Sequence, residues 1–307
     1  MIGIFGASGF IGRNLVDHFN QKNIPFRGFV RRAAFAQTAN MTLIDFDDPA
    51  TYRDHLKELS AVVLLVSASV PATFANDLVS EVSRNVVPHI KFLQSIRGTS
   101  IEHVVYLSSG GTIYGVPRQS SITEEHPTLP ISTYGCGKLM IESAIKTLSA
   151  GAGWNYSILR ASNPIGKYQS PEKGQGLVAA AVRAAFLGAP IDIWGDGKAL
   201  RDYIDVRDLC AAIDIVLRPQ ERKRQIYNVG LGRSVSVNEI VDLCSYACGK
   251  PIFRNYIPEK SFLVRDVELN CDAITRDTGW KAKFDISDAI QNFVLDYKET
   301  TQTASLP

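Results

Sequence analysis

Three glycines, Gly6, Gly9 and Gly12, follow the apolar run Ile2-Gly3-Ile4-Phe5 and lead into a helical pattern through Asn14-Leu15-Val16-Asp17-His18-Phe19. Strand, glycine turn and helix in that order constrain the start of the fold more than any other feature. Without side chains the backbone turns tightly and can approach a pyrophosphate. The helix start beyond it then offers free N–H groups and partial positive charge. A strand–helix turn with no ligand is the plainer reading, but three glycines and a serine at this site have no simpler structural purpose. The loop predicts a dinucleotide held by Gly6, Ser8, Gly9, Phe10, Ile11 and Gly12.

Apolar runs continue to alternate with amphipathic stretches. Phe26 to Val30, Thr42 to Phe46, Ala61 to Val66, His103 to Leu107 and Tyr156 to Arg160 read as strands, with a helix over about Phe74 to Ile96. Nearly continuous apolar strands separated by helices predict an α/β fold, a Rossmann-type doubly wound parallel sheet. After Asn163-Pro164 the rhythm weakens, and Gly174, Gly176, Gly188, Pro190, Gly195 and Gly197 punctuate short elements. The expected division is 1–165 for the dinucleotide and 166–307 mainly for a smaller substrate-binding domain, some of its segments returning to the sheet. That domain caps the carboxyl edge of the sheet, where ligands bind. Thr300 to Pro307 reads as a loose tail.

Bulk properties exclude several classes. Thirty-three basic residues against 31 acidic ones leave +2, too little for a dedicated nucleic-acid face. Five cysteines at 136, 210, 244, 248 and 271 lack paired spacing and read as reduced cytosolic thiols. Cys244 and Cys248 lie four apart on an expected helix without a second ligand cluster, so no metal is expected. No leader pattern precedes Ile2, and no run reaches about 18 apolar residues. The expectation is a soluble, cytoplasmic protein without membrane contact.

Two positions bear on the nucleotide. Where an acidic residue usually ends the second strand, this chain has Val30-Arg31-Arg32. Arginines there suit a 2′-phosphate, so NAD and NADP both stand; a solvated basic pair is the alternative. Asp45 is placed either to accept from an adenine amino group or to cap its own loop.

Tyr134-Gly135-Cys136-Gly137-Lys138 opens an amphipathic stretch through Leu148. A spacing of four puts the tyrosine and lysine on one helix face. An ammonium beside a phenol favours phenolate, giving a base that takes a hydroxyl proton as hydride leaves to nicotinamide. Among eleven tyrosines a chance match is easily found, and Lys138 facing solvent is the bland reading. The glycine loop upstream favours the catalytic one.

The combination resembles the extended short-chain dehydrogenase/reductase superfamily, in its branch of NAD-dependent nucleotide-sugar epimerases and dehydratases. The likeness runs over essentially the whole chain. It rests on Gly6 to Gly12, Leu107-Ser108-Ser109-Gly110-Gly111-Thr112-Ile113-Tyr114-Gly115, Tyr134 with Lys138, Leu159 to Pro164, Trp194 to Gly197 and Leu200-Arg201-Asp202-Tyr203-Ile204. The resemblance implies a homodimer through the helices near Phe74 to Ile96 and Tyr134 to Leu148. It implies substrate contacts from Asn163, Arg201 and Arg265, the arginines meeting a diphosphate with a planar fork of donors. The cofactor set is completed by Arg31, Asp45, Phe46, Asn85, Tyr134 and Lys138.

The pattern is broken twice. The Ser or Thr usual in such proteins four residues before Tyr114 is Gly110, leaving Thr112, if the segment is extended, or Ser109 to supply the hydroxyl. The Ser common before the lysine is Gly137. A 4,6-dehydratase of this type carries an Asp-Glu pair where this chain has Gly111 and Thr112, so elimination lacks its acid and base. The expected activity is a nucleotide-sugar 4-epimerase of the UDP-glucose or UDP-GlcNAc type. A 4-keto-sugar reductase using NADPH is the second reading, and a cofactor-binding protein without turnover the third.

Overall fold

Strands buried on both faces and helices buried on one assemble as the alternation requires. The computed structural model describes residues 1–71, 73–75, 77–170, 176–218, 225–259 and 264–304. In chain order the first half holds β1 (Ile2–Phe5), α1 (Phe10–Gln21), β2 (Phe26–Val30), β3 (Met41–Leu43), β4 (Ala61–Leu64), α2 (Leu78–Glu81), a π turn Val82–Val86, α3 (Val87–Ser95), β5 (His103–Ser109), α4 (Thr133–Ser149) and β6 (Asn155–Ala161). The second holds β7 (Asn163–Ile165), α5 (Leu177–Leu187), β8 (Ile191–Trp194), β9 (Leu200–Asp205), α6 (Val206–Leu217), β10 (Ile226–Val229), β11 (Ser234–Ser236), α7 (Val237–Cys248), β12 (Arg254–Ile257), α8 (Asp272–Thr278) and α9 (Ile286–Ala304).

The main sheet has seven strands in the order β10-β6-β5-β4-β1-β2-β3, every neighbouring pair parallel. Period-two alternation splits its side chains between two cores. On β5, Val105 and Leu107 join the core with α1 and α6, while Val104 and Tyr106 join that with α3 and α4. A third core gathers α5, α7 and α9 around β8 and β9. A small fourth cluster, Ile113, Tyr114, Ile122, Val264, Val267 and Leu269, joins the loop after β5 to the segment before α8.

Several expected boundaries move. The helix expected over Phe74 to Ile96 starts at Leu78, where the Asp77 side chain accepts from the Ser80 N–H, and passes through the π turn. Pro88 has no N–H to give the preceding turn, and the ladder widens just before it. β3 stops at Leu43, because Thr51 Oγ1 bonds both N–H and C=O of Asp45 and turns the chain inward. β4 ends at Leu64, two residues short of Val66, and β5 and β6 run longer than expected. Thr300 to Ala304 belong to α9 rather than to a loose tail; 305–307 lie outside the described residues. Among the described residues no helix is long and apolar enough to cross a membrane.

Candidate active site

The glycine loop leaves β1 at the carboxyl edge of the sheet. Gly6 has φ +90°, a region that side chains disfavour, and its carbonyl accepts from Gly9 N–H at 3.0 Å. The Gly12 Cα abuts the Gly6 carbonyl and Ala7 backbone, leaving no room for a Cβ. Gly9 caps α1 with no side-chain acceptor, and no acidic residue stands in the first turn. That helix end therefore faces outward with its donors unclaimed by side chains, which fits a pyrophosphate. Ser8 is half-buried beside it; Phe10 and Ile11 turn their side chains against the α1 core.

Arg31 and Arg32 follow β2 exposed; the Arg32 carbonyl accepts from the Phe35 N–H, and neither guanidinium bonds a described residue. Asp45 Oδ1 accepts from the Asp47 N–H at 3.0 Å, so this carboxylate does cap its own loop. The Phe46 ring is committed to the core between Phe5, Tyr52, His89 and Phe92, so any cofactor contact from this residue would come from its backbone. Asn85 is buried on the π turn. Its Oδ1 accepts from Ala68 N–H at 2.7 Å, and its Nδ2 donates to Ser69 Oγ and Glu81 Oε1. It pins the loop after β4, and its side chain is spent on that task.

Tyr134 and Lys138 lie on α4, whose N-cap Ser132 accepts from the Gly135 N–H. Lys138 is buried. Its Nζ donates to the Leu107 carbonyl at 2.9 Å, lies 5.0 Å from the centre of the Tyr106 ring and 5.7 Å from that of Tyr134. The tyrosine hydroxyl makes no hydrogen bond to a described residue. The electrostatics correct the sequence reading. Burial, and then the Glu81 carboxyl, hold the Tyr134 phenol well above its ordinary range instead of below it. Burial pulls Lys138 down to about 8, against the opposing pull of Glu81 and Glu142.

The loop after β5 is turned rather than extended: Ile113 N–H donates back to the Ser109 carbonyl. Even so, Thr112 reaches α4. Its carbonyl packs against Gly135, and its Oγ1 is buried without a partner among the described residues. Ser108 points to α4 and donates to Glu142 Oε1 at 2.6 Å, so Ser109, next along the strand, points to the opposite face. Of the two hydroxyls only Thr112 stands beside the tyrosine helix. Gly110 has a physical reason: a Cβ there would lie 2.5 Å from Leu269 Cδ1 and 2.9 Å from the Arg160 carbonyl.

The three substrate-side candidates come together although 102 residue numbers separate the first from the last. Arg201 Nη1 donates to the Arg265 carbonyl, and Leu200 and Val267 bond across the same pair of segments. Arg265 itself is exposed, 3.6 Å from Asp196. Asn163 Nδ2 donates to the Asp202 carbonyl at 2.8 Å. Asp202 is buried and accepts N–H bonds from Leu231, Gly232 and Leu269, yet burial pushes its carboxyl up to about 7.

The sequence reading missed two carboxylates. Glu142 is buried one turn beyond Lys138 and is held by Ser108 and by both ends of the Arg160 fork, at 3.2 and 2.8 Å. Glu81, on α2, packs directly on Gly137. Each is a single glutamate inside a helical pattern, indistinguishable there from a surface charge.

Residues 2–230 match the model of the NAD dependent epimerase/dehydratase family. The chain is 30% identical to the UDP-glucose 4-epimerase of Azospirillum brasilense over 71% of this chain and 67% of that protein. It is 23% identical to the dTDP-4-dehydro-6-deoxyglucose reductase of Escherichia coli over 95% of each. The UDP-glucose 4-epimerase of Thermotoga maritima, solved with UDP-glucose, superposes with a TM-score of 0.90 at 22% identity, covering 98% of this chain and 99% of that one, a likeness of fold. Other solved neighbours of that fold carry NAD.

Proposed function

Because the chain belongs to the NAD-dependent epimerase/dehydratase family, we propose that it is a nucleotide-sugar 4-epimerase acting on UDP-glucose or UDP-GlcNAc through a transient 4-keto sugar. The observation that carries the reading is the pair on α4: Lys138 buried against the Leu107 carbonyl, and Tyr134 beside it with its hydroxyl unclaimed. The uncapped start of α1 and the close approach at Gly12 suit a dinucleotide pyrophosphate. When bound, the nicotinamide supplies the acceptor for the sugar's hydride.

The protein's own groups do the rest. Residues 1–165 hold the cofactor, and Asn163 together with Arg201 and Arg265 of 166–307 holds the nucleotide diphosphate. Tyr134 takes the proton from the sugar's 4-hydroxyl as the C4 hydride leaves, and returns it when hydride comes back to the other face of the ketone. Thr112 Oγ1, buried and unpartnered, bonds the same sugar oxygen. Gly111 and Thr112 offer no acid–base pair for expelling water from carbon 6, which favours epimerisation over dehydration.

A second reading, the NADPH-dependent 4-keto-sugar reductase, is favoured by Arg31 and Arg32, both exposed and with side chains that bond no described residue where a 2′-phosphate would lie. One experiment separates the two. Purified protein incubated with UDP-glucose or UDP-GlcNAc, without added cofactor, is expected to yield the 4-epimer, followed by NMR. A strict requirement for NADPH and a keto sugar replaces the epimerase with the reductase. No turnover of any nucleotide sugar leaves a cofactor-binding protein.

The same reading makes the protein a homodimer. Val79, Val87 and Met140, on α2, α3 and α4, are exposed apolar side chains on the elements that would meet. Light scattering is expected to give twice the chain mass, and a monomeric mass overturns this.

A further inference from the structure

Glu81 ends α2 only 2% exposed. Its Oε1 accepts from Asn85 Nδ2 at 3.0 Å, and its Oε2 has no hydrogen-bond partner among the described residues. The carboxyl lies on the α4 backbone at Gly137, where a Cβ would come within 2.5 Å of Oε1 and 2.7 Å of Cγ. Any other residue at 137 would displace it. Gly137 stands next to Lys138 and within one turn of Tyr134, so a carboxylate seated there acts on both.

We propose that Glu81 is a positioning residue for the reactive pair: seated on Gly137, its carboxylate sets the charge of Lys138 and Tyr134, and the glycine at 137 is required to admit it. This rests on the reading that Tyr134 and Lys138 react together. Inside a protein a nearby anion favours the ammonium and disfavours the phenolate. Both effects keep a proton on the pair: Glu81 opposes the burial that pulls Lys138 down, and adds to the burial that pushes Tyr134 up.

Of the other groups facing the pair, Glu142 also opposes the fall of Lys138, more weakly than Glu81, and only Glu81 acts on Tyr134 as well. Glu142, on α4 itself, is bound by Arg160 of β6 and approached by Lys146. Tyr106 of β5 lies under Lys138 as a phenol that burial pushes up. His89 of α3 bonds the Asn85 carbonyl at 2.6 Å, and burial pulls it down to about 4, so it is neutral at pH 7. Asn85 carries no charge.

The test reads Lys138 directly and needs no turnover. In protein labelled with ¹³C at lysine Cε, with Lys138→Arg assigning the resonance, the wild-type midpoint is expected near 8. Glu81→Gln keeps the shape and removes the charge, and should lower that midpoint by about one pH unit. Gly137→Ser should lower it in the same direction by evicting the carboxyl, and should add nothing in a Glu81→Gln background. If Glu81→Gln does not fold, Gly137→Ala provides the same displacement. An unchanged midpoint in a folded variant overturns the proposal. Where turnover is measurable, the whole pH–rate profile of Glu81→Gln should move to lower pH, since both groups lose the same anion. A uniform loss of rate without that movement reduces Glu81 to a packing role and also overturns the proposal. A shifted midpoint in a protein that epimerises nothing leaves the proposal standing and removes the epimerase.

Discussion

Tyr134→Phe is expected to lower nucleotide-sugar turnover by about 10²–10⁴-fold, the usual worth of a positioned acid–base group, with little change in melting temperature. The two halves of this expectation have separate causes. The tyrosine hydroxyl bonds no described residue, so removing it orphans nothing. The ring is retained, and with it the packing near Lys138, whose Nζ stays bonded to the Leu107 carbonyl. The chemistry loses the group that exchanges a proton with the sugar, and Lys138 cannot replace it from a buried seat against a backbone carbonyl. The phenol's upward shift sets the sign of the pH dependence. Because burial and Glu81 hold its proton, kcat/KM of the wild type should rise as pH increases from about 6 to about 8. Steady-state rates of both proteins across that range check the prediction. A Tyr134→Phe variant with near wild-type rate would assign the proton transfer elsewhere.

What the sequence made legible, and what it did not, follows from the range of the physics involved. Strands β1 and β2 were readable to the residue because a few consecutive apolar residues bounded by glycine or turn signals are a local pattern. The glycine loop was readable for the same reason, strand, turn and helix being contiguous. The helix over Phe74 to Ile96 is legible in kind, but not its start at Leu78 or the π turn that precedes Pro88. The position of Phe46 after β3 is visible in the sequence, whereas the commitment of its ring to a cluster drawn from β1, the Tyr52 loop and α3 is not. The reason for Gly110 was invisible in the same way: the side chain that excludes a Cβ is Leu269, far along the chain. Direction of charge was the least legible property. A spacing of four predicts that Lys138 lowers the tyrosine; the burial of both and the arrival of Glu81 from another helix reverse the outcome.

Glu142→Ala is expected to cost about 3–5 kcal/mol of folding stability, the usual cost of stripping one partner from a buried ion pair. Glu142 is fully buried and Arg160 only 3% exposed, so truncating the glutamate leaves a guanidinium in the core with its fork unpaired. The Ser108 hydroxyl loses its acceptor as well. Arg160 keeps bonds from Nη1 to the Tyr114 hydroxyl and the Glu124 carbonyl, and these partners are neutral. The Tyr114 hydroxyl in turn donates to Asn228 of β10, so the disturbance reaches the far edge of the sheet. At roughly 2–4 °C per kcal/mol for a chain of this size, the melting temperature should fall by roughly 10 °C. Two further variants separate charge from shape. Glu142→Gln keeps an acceptor for Ser108 and should cost less than Glu142→Ala. The double replacement Glu142→Leu with Arg160→Met removes both charges and should be more stable than Glu142→Ala alone. If the double variant is the less stable of the two, the ion pair itself and not the stranded arginine carries the stability. The functional consequence follows from where the pair sits: Glu142 ties α4 to β5 and β6 one turn beyond Lys138. A protein that survives the substitution should therefore lose turnover beyond its loss of folded fraction.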